Sequence, residues 1–171
     1  MFTVGRVSKV DRKLRGRMGN MNEYDSREDT QAHINRVAKL LFHFCKNLEA
    51  RGRLHDATKL VSPEKETFDE MTPRLKDSTY GSDEYKGFLE KMKPALDHHY
   101  VNNRHHPEHH KNGVNDMDLF DVVEMLCDWK AASERHATGD INKSLEINAK
   151  RFNMSDELVG VLRNTIPALK W

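Results

Sequence analysis

At 171 residues, 32% of them charged and with a formal net charge of +1, the chain is long enough for one domain with a sizeable core. Its balanced charge by itself implies neither a polyanion binder nor an acidic tail. The two cysteines, Cys45 and Cys127, are too few for a disulfide framework and predict a reducing, cytoplasmic location. No apolar run reaches the roughly 20 residues that span a bilayer, so a membrane protein is not expected.

Residues 1 to 25 carry Arg6, Lys9, Arg12, Lys13, Arg15 and Arg17 against one nearby acid, Asp11. They read as a basic N-terminal arm. The expectation is a solvated terminus, with phosphate or nucleic-acid contact as the alternative, since no aromatic residues lie among the basic ones to stack bases. From Ser26, a suitable N-cap followed by Glu28 and Asp29, a long helix is predicted to about Ala50, before Gly52 stops it. Val37, Leu40, Leu41, Phe44 and Leu48 recur on it at helical spacing, and His33 falls on the same stripe, which predicts that His33 points inward.

Leu54 to Leu60 then places His55 beside Asp56, with Lys59 four residues beyond the histidine. An adjacent imidazole and carboxylate can share a divalent ion, and on a helical turn Lys59 would share the face of His55; alternatively Asp56 is a local turn residue and Lys59 a solvated charge. Ser62-Pro63-Glu64 opens another helix. Thr72 to Ser82 reads as a loop. A helix from Ser82-Asp83 carries Tyr85, Phe88, Leu89, Met92 and Leu96 toward His98 and His99, with Pro94 a possible kink.

Six of the ten histidines fall between His98 and His110: His98, His99, His105, His106, His109 and His110. Imidazole is the commonest protein ligand for transition metals, although such a tract also suits a solvated loop or adventitious metal binding. Asp116 or Asp118 caps the next helix, on which Asp121, Glu124 and Asp128 share one face and Leu119, Val122, Leu126 and Trp129 the other. Like charges at that spacing repel, so either the face is solvated or a cation offsets it. Asp140 and Ser155 start two further helices, with Leu145, Ile147, Phe152, Leu158, Val161, Leu162 and Ile166 as core candidates. With no hairpin signal, phosphate loop or repeat, the expectation is an all-α fold: one compact domain of about five to seven helices over residues 26–171.

The ordered pattern His33, His55-Asp56, Asp128 resembles the HD superfamily of metal-dependent phosphohydrolases, and His55-Asp56-Ala57-Thr58-Lys59 is similar to the His-Asp-x-x-Lys form of HD-type phosphodiesterases. Asn103-Arg104-His105-His106-Pro107-Glu108, followed by Glu124-Met125-Leu126-Cys127-Asp128-Trp129, is similar to a small HD-like family of phages and bacteria. The resemblance implies His33, His55, Asp56 and Asp128 as ligands of a first metal ion. It also implies added histidines for a second, here His99 and His105, with His98 and His106 as competitors.

What the resemblance implies chemically is hydrolysis of a phosphate ester, with a nucleotide as the substrate class. Lys59 and Arg104 are then expected to hold phosphate oxygens, His106 to donate a proton to the leaving group, and Glu108 and Glu124 to orient ligating imidazoles. The mixed ligand set accommodates one or two ions of manganese, iron, cobalt, nickel or zinc. Two alternatives belong to other classes: a di-iron oxygenase, and a non-catalytic protein with a structural metal whose basic arm contacts a partner.

Overall fold

In this computed structural model the described residues are 24–78, 82–135 and 139–171; nearly all of the basic arm, including its six Lys and Arg residues, lies outside them. The described residues form six α-helices and three short 3-10 turns, with no strand among them. The helices are α1 (Arg27–Leu54), α2 (Glu64–Asp77), α3 (Asp83–Asn102), α4 (Leu119–Ser133), α5 (Ile141–Arg151) and α6 (Asp156–Ala168). The 3-10 turns are Ala57–Leu60, Pro107–His109 and Gly113–Asp116. None of these helices is long and apolar enough to cross a membrane.

The chain divides into two compact units, residues 1–44 and 45–171, with the boundary inside α1. In the first unit, the acidic residues Glu28 and Asp29 occupy the first turn of α1, where carboxylates suit the positive end of the helix dipole. No residue of α1 is buried, and Val37, Leu40, Leu41 and His33 are all exposed. Periodicity reports which residues share a face; whether another element covers that face is a separate, tertiary matter.

Within the second unit α1 runs through Gly52 to Leu54, past the stop expected at Gly52. A mid-helix glycine costs only about 1 kcal/mol. On either side of it, Arg51 is held by Glu124 on α4 at 2.7 Å and Arg53 by Glu49 at 2.7 Å. The loop expected over Thr72–Ser82 is also shorter than its composition suggests, because α2 continues through Pro73 to Asp77. Proline there removes one backbone hydrogen bond, while the packing of α2 against α3, with Met71, Met92 and Ala95 buried, keeps the helix going.

Capping fixes the remaining starts. Ser82 Oγ accepts the Tyr85 N–H at 3.1 Å, Asp140 Oδ1 that of Asn142 at 2.8 Å, and Ser155 Oγ that of Leu158 at 3.3 Å. Asp118, of the two candidates, caps α4 through a reciprocal capping box with Asp121. The core of this unit lies where α4, α5 and α6 meet, with Val122, Met125, Leu126, Ile141, Leu145, Val159, Leu162 and Ile166 buried together. Trp129 stacks parallel to Phe152 at its edge. Leu119, Ile147 and Val161, expected to be apolar-face residues, are exposed.

Leu145→Ala, at a position 1% exposed in this core, is expected to lower unfolding free energy by about 2–5 kcal/mol in urea denaturation. Ile147→Ala, on the exposed side of the same helix, should stay within about 0.5 kcal/mol of the parent.

Candidate metal centre

The centre is assembled within the second unit from the end of α1, the turn after it, the end of α3 with its following loop, and one face of α4. His55 directly follows α1, and Asp56 adopts a left-handed backbone (φ 56°, ψ 17°) that turns the chain into the 3-10 turn carrying Thr58 and Lys59. His99 sits in the last turn of α3, and His105 and His106 follow in the loop after Asn103. Glu124 and Asp128 lie one turn apart on α4.

Their ligand atoms converge. Asp56 Oδ1 is 3.1 Å from His99 Nε2 and 3.4 Å from His105 Nε2. His99 Nε2 and His106 Nε2 face each other at 2.9 Å. On the other side of the carboxylate, His55 Nε2 lies 3.6 Å from Asp56 Oδ2 and 3.5 Å from Asp128 Oδ1. Among the described residues two groups could hold a metal ion, Asp56-His99-His105-His106 and His55-His105-Asp128, each with its ligand atoms within 4.8 Å of one another. His105 belongs to both.

Behind the imidazoles stands a ring of carboxylates. His55 Nδ1 and His105 Nδ1 both donate to Glu124 Oε1, at 3.0 and 3.2 Å. His99 Nδ1 donates to Glu64 Oε2 at 2.9 Å, and that carboxylate is wholly buried and also accepts from Thr58 Oγ1. A carboxylate accepts a proton on Nδ1 and so leaves the Nε2 lone pair pointing inward, the arrangement seen around ligating histidines. Inside that ring, Asp56 Oδ1 and His105 Nε2 are buried without any hydrogen-bond partner. With its Nδ1 proton on Glu124, a neutral His105 turns a bare Nε2 toward Asp56 Oδ1, and two such acceptors in a buried space are unfavourable unless a proton or a cation lies between them. The residues present therefore fit a divalent cation bound by nitrogen and oxygen.

Charge and burial shift several of these groups. Hydrogen bonds to Asp128 and Glu124 raise the His55 pKa to about 10 against the opposing effect of burial. Burial alone would lift the carboxyls of Asp56, Glu124 and Asp128, but the surrounding imidazoles outweigh it; Lys59 adds to this at Asp56 and Arg51 at Glu124, and all three are lowered. His106 goes the other way, to about 3, through burial and then the charges of His105 and His99. A histidine held neutral in this way suits a metal ligand.

Other expected site residues are placed differently. Arg104 is engaged by Asp121 at 2.8 Å and Asp118 at 3.5 Å instead of standing free for phosphate. Glu108 pairs with Arg151 at 2.7 Å, away from the imidazoles. His98 turns to Glu64, His109 to the Tyr100 carbonyl and His110 to the Arg104 carbonyl, so these three fix the loop and the end of α3. His33 belongs to the first unit. Lys59, by contrast, lies against Asp56 Oδ2 at 2.6 Å with its ammonium 5.0 Å from the Phe68 ring centre. The sequence reading missed Glu64, which looked only like a helix start, and Arg51, hidden among the charges of α1. A surface cleft of about 440 Å³ lined by Lys130, Glu134, Ile141 and Trp171 shares no residue with the centre.

Because the His55 pKa is raised from 6.5 to about 10, its contribution to stability is complete below about pH 6.5 and disappears as pH rises through 10. The depressed carboxylates contribute above about pH 4 and lose that contribution as pH falls through their folded values. His106, lowered to about 3, acts in the opposite sense to His55, contributing above about pH 6.5 and losing that contribution as pH falls toward 3, so metal-free protein should melt highest near pH 6.5. Binding of a cation requires loss of the imidazole protons, so the rise in Tm on adding Mn²⁺ should grow from pH 6 to pH 8.5, as thermal melts with and without the ion would measure.

A family model described as a family of unknown function, DUF5662, matches residues 22–168. No curated protein and no solved structure matches the chain.

Proposed function

The chain belongs to the DUF5662 family, a family of unknown function, and we propose from its own site that it is a metal-dependent phosphohydrolase acting on a nucleotide or related phosphate ester. The observation that carries this reading is the pair of buried, unpartnered acceptors, Asp56 Oδ1 and His105 Nε2, at the middle of inward-facing imidazoles. His55, Asp56, His99, His105, His106 and Asp128 would hold one or two divalent ions. Asp56 has an oxygen on each side, and His105 is shared between the two groups. A bound divalent ion brings the pKa of water toward neutrality and stabilises the charge that develops when a phosphate ester is displaced.

The chain's own residues supply the rest. Glu124 and Glu64 keep the imidazole Nδ1 protons turned outward, so His55, His99 and His105 turn Nε2 toward the ligand space. Lys59, one-third exposed and already oriented by Asp56, provides an ammonium beside the ligand set to take a phosphate oxygen. Burial of His99 and His105, at 1% and 2% exposure, keeps bulk water from competing behind the reacting face. The phosphate-ester substrate class rests on the resemblance of His55-Asp56-Ala57-Thr58-Lys59 to HD-type phosphodiesterases, and manganese, iron, cobalt, nickel and zinc all suit this ligand chemistry.

Elemental analysis of untagged protein, followed by phosphate release from a nucleotide panel with the found metal restored, tests the reading. About one or two equivalents of metal are expected, with phosphate release that Asp56→Asn reduces by at least 10²-fold and Lys59→Ala slows without loss of metal. Protein that binds no transition metal overturns it, as does metal without phosphate release from any substrate offered; iron with oxygen uptake in its place would assign an oxygenase.

A further inference from the structure

A second layer of charge lies behind the imidazoles, and it converges on one guanidinium. Glu124 Oε1 serves both His55 and His105, and its other oxygen, Oε2, accepts from Arg51 Nε at 2.7 Å. The same guanidinium reaches with Nη2 to Asp121 Oδ1 at 2.5 Å. Asp121 has no solvent exposure, and its Oδ2 accepts from Arg104 Nη2 at 2.8 Å and from the Asp118 backbone N–H at 3.1 Å. Two carboxylates three residues apart on α4 are therefore bridged by a single side chain arriving from α1.

We propose that Arg51 is a positioning residue for the metal centre: by clamping Glu124 it sets the orientation of His55 and His105 together. The inference rests on the metal-binding reading for its affinity consequence, while the clamp itself is a property of the protein alone. Without Arg51, Glu124 has one oxygen unengaged and is free to rotate, and both Nδ1 protons lose their fixed acceptor at once. Since His105 is common to both ligand groups, loosening it disturbs both. Arg104 and the capping box hold Asp121, which in turn fixes the far end of the guanidinium.

The geometry explains why arginine is needed. Nε and Nη2 belong to one rigid plane and reach two different carboxylates simultaneously, whereas a lysine offers a point charge that serves one at a time. Arg51→Lys thus keeps the charge and removes the bridge, and Arg51→Gln removes both. Asp121→Asn leaves the Arg51–Glu124 contact and weakens only its anchor.

Two readouts test this. Zinc affinity by chelator competition should fall about 10–100-fold in Arg51→Lys and further in Arg51→Gln. In NMR spectra of metal-free and zinc-loaded protein, the Nδ1 proton signals of His55 and His105 should be observed in the parent and broadened together by water exchange in Arg51→Lys, with Asp121→Asn intermediate. His99, whose Nδ1 rests on Glu64, is the internal control and should keep its signal; its loss as well would mean general unfolding and overturn the specific role. Parent-like signals and zinc affinity within twofold in Arg51→Lys would overturn the proposal. If the parent binds neither zinc nor any other of the five transition metals while the two signals vanish together in Arg51→Lys, the metal reading falls and the clamp stands.

Discussion

Three of the four inward imidazoles, His55, His99 and His105, are turned inward by a carboxylate behind them. Without Glu64 and Glu124 the ring nitrogens would be free to choose either tautomer and either flip, and Asp56 would face a disordered set of donors. With them, His55, His99 and His105 all present the same nitrogen to the same small space. This constraint links distant parts of the second unit: Glu64 opens α2, His99 closes α3, Glu124 lies mid-α4, and Arg51 arrives from α1. Fold and site are the same set of contacts viewed at two distances.

The arrangement also shows how buried charge is tolerated. Glu64 and Asp121 have no solvent exposure, and an unpaired carboxylate in such a place would be neutralised. Both are instead held ionised. Glu64 takes hydrogen bonds from His98, Thr58 and His99, and Asp121 sits between Arg51 and Arg104, so that burial, which would raise each pKa, is outweighed. Replacing a single partner in such a network leaves the others uncompensated, which concentrates sensitivity in a few side chains.

Much of this was legible in the sequence, and what was not has physical reasons. The helix starts at Ser82, Asp118, Asp140 and Ser155 follow from local capping chemistry, which depends on a few neighbouring residues. The acidic face Asp121-Glu124-Asp128 was readable either as a solvated face or as one offset by a cation, and Arg51 with the imidazoles lies against it. Gly52 and Pro73 misled because tertiary contacts override a penalty of only a few kcal/mol. Within the histidine window, composition could not separate His99, His105 and His106 from His98, His109 and His110. His98 and His99 both rest Nδ1 on Glu64, yet only His99 turns Nε2 to Asp56, while His109 and His110 are taken by backbone carbonyls; where each ring points is decided by the end of α3 and the path of the loop.

The left-handed backbone at Asp56 narrows what this position can hold. Ordinary L-residues are disfavoured there by roughly 1–2 kcal/mol, and only glycine, asparagine and aspartate enter the region readily. Glycine brings no ligand and asparagine no charge. Chain direction and ligand chemistry thus select the same residue independently, and a reshuffled site that kept the turn but moved the carboxylate elsewhere would have to satisfy both requirements again from the beginning.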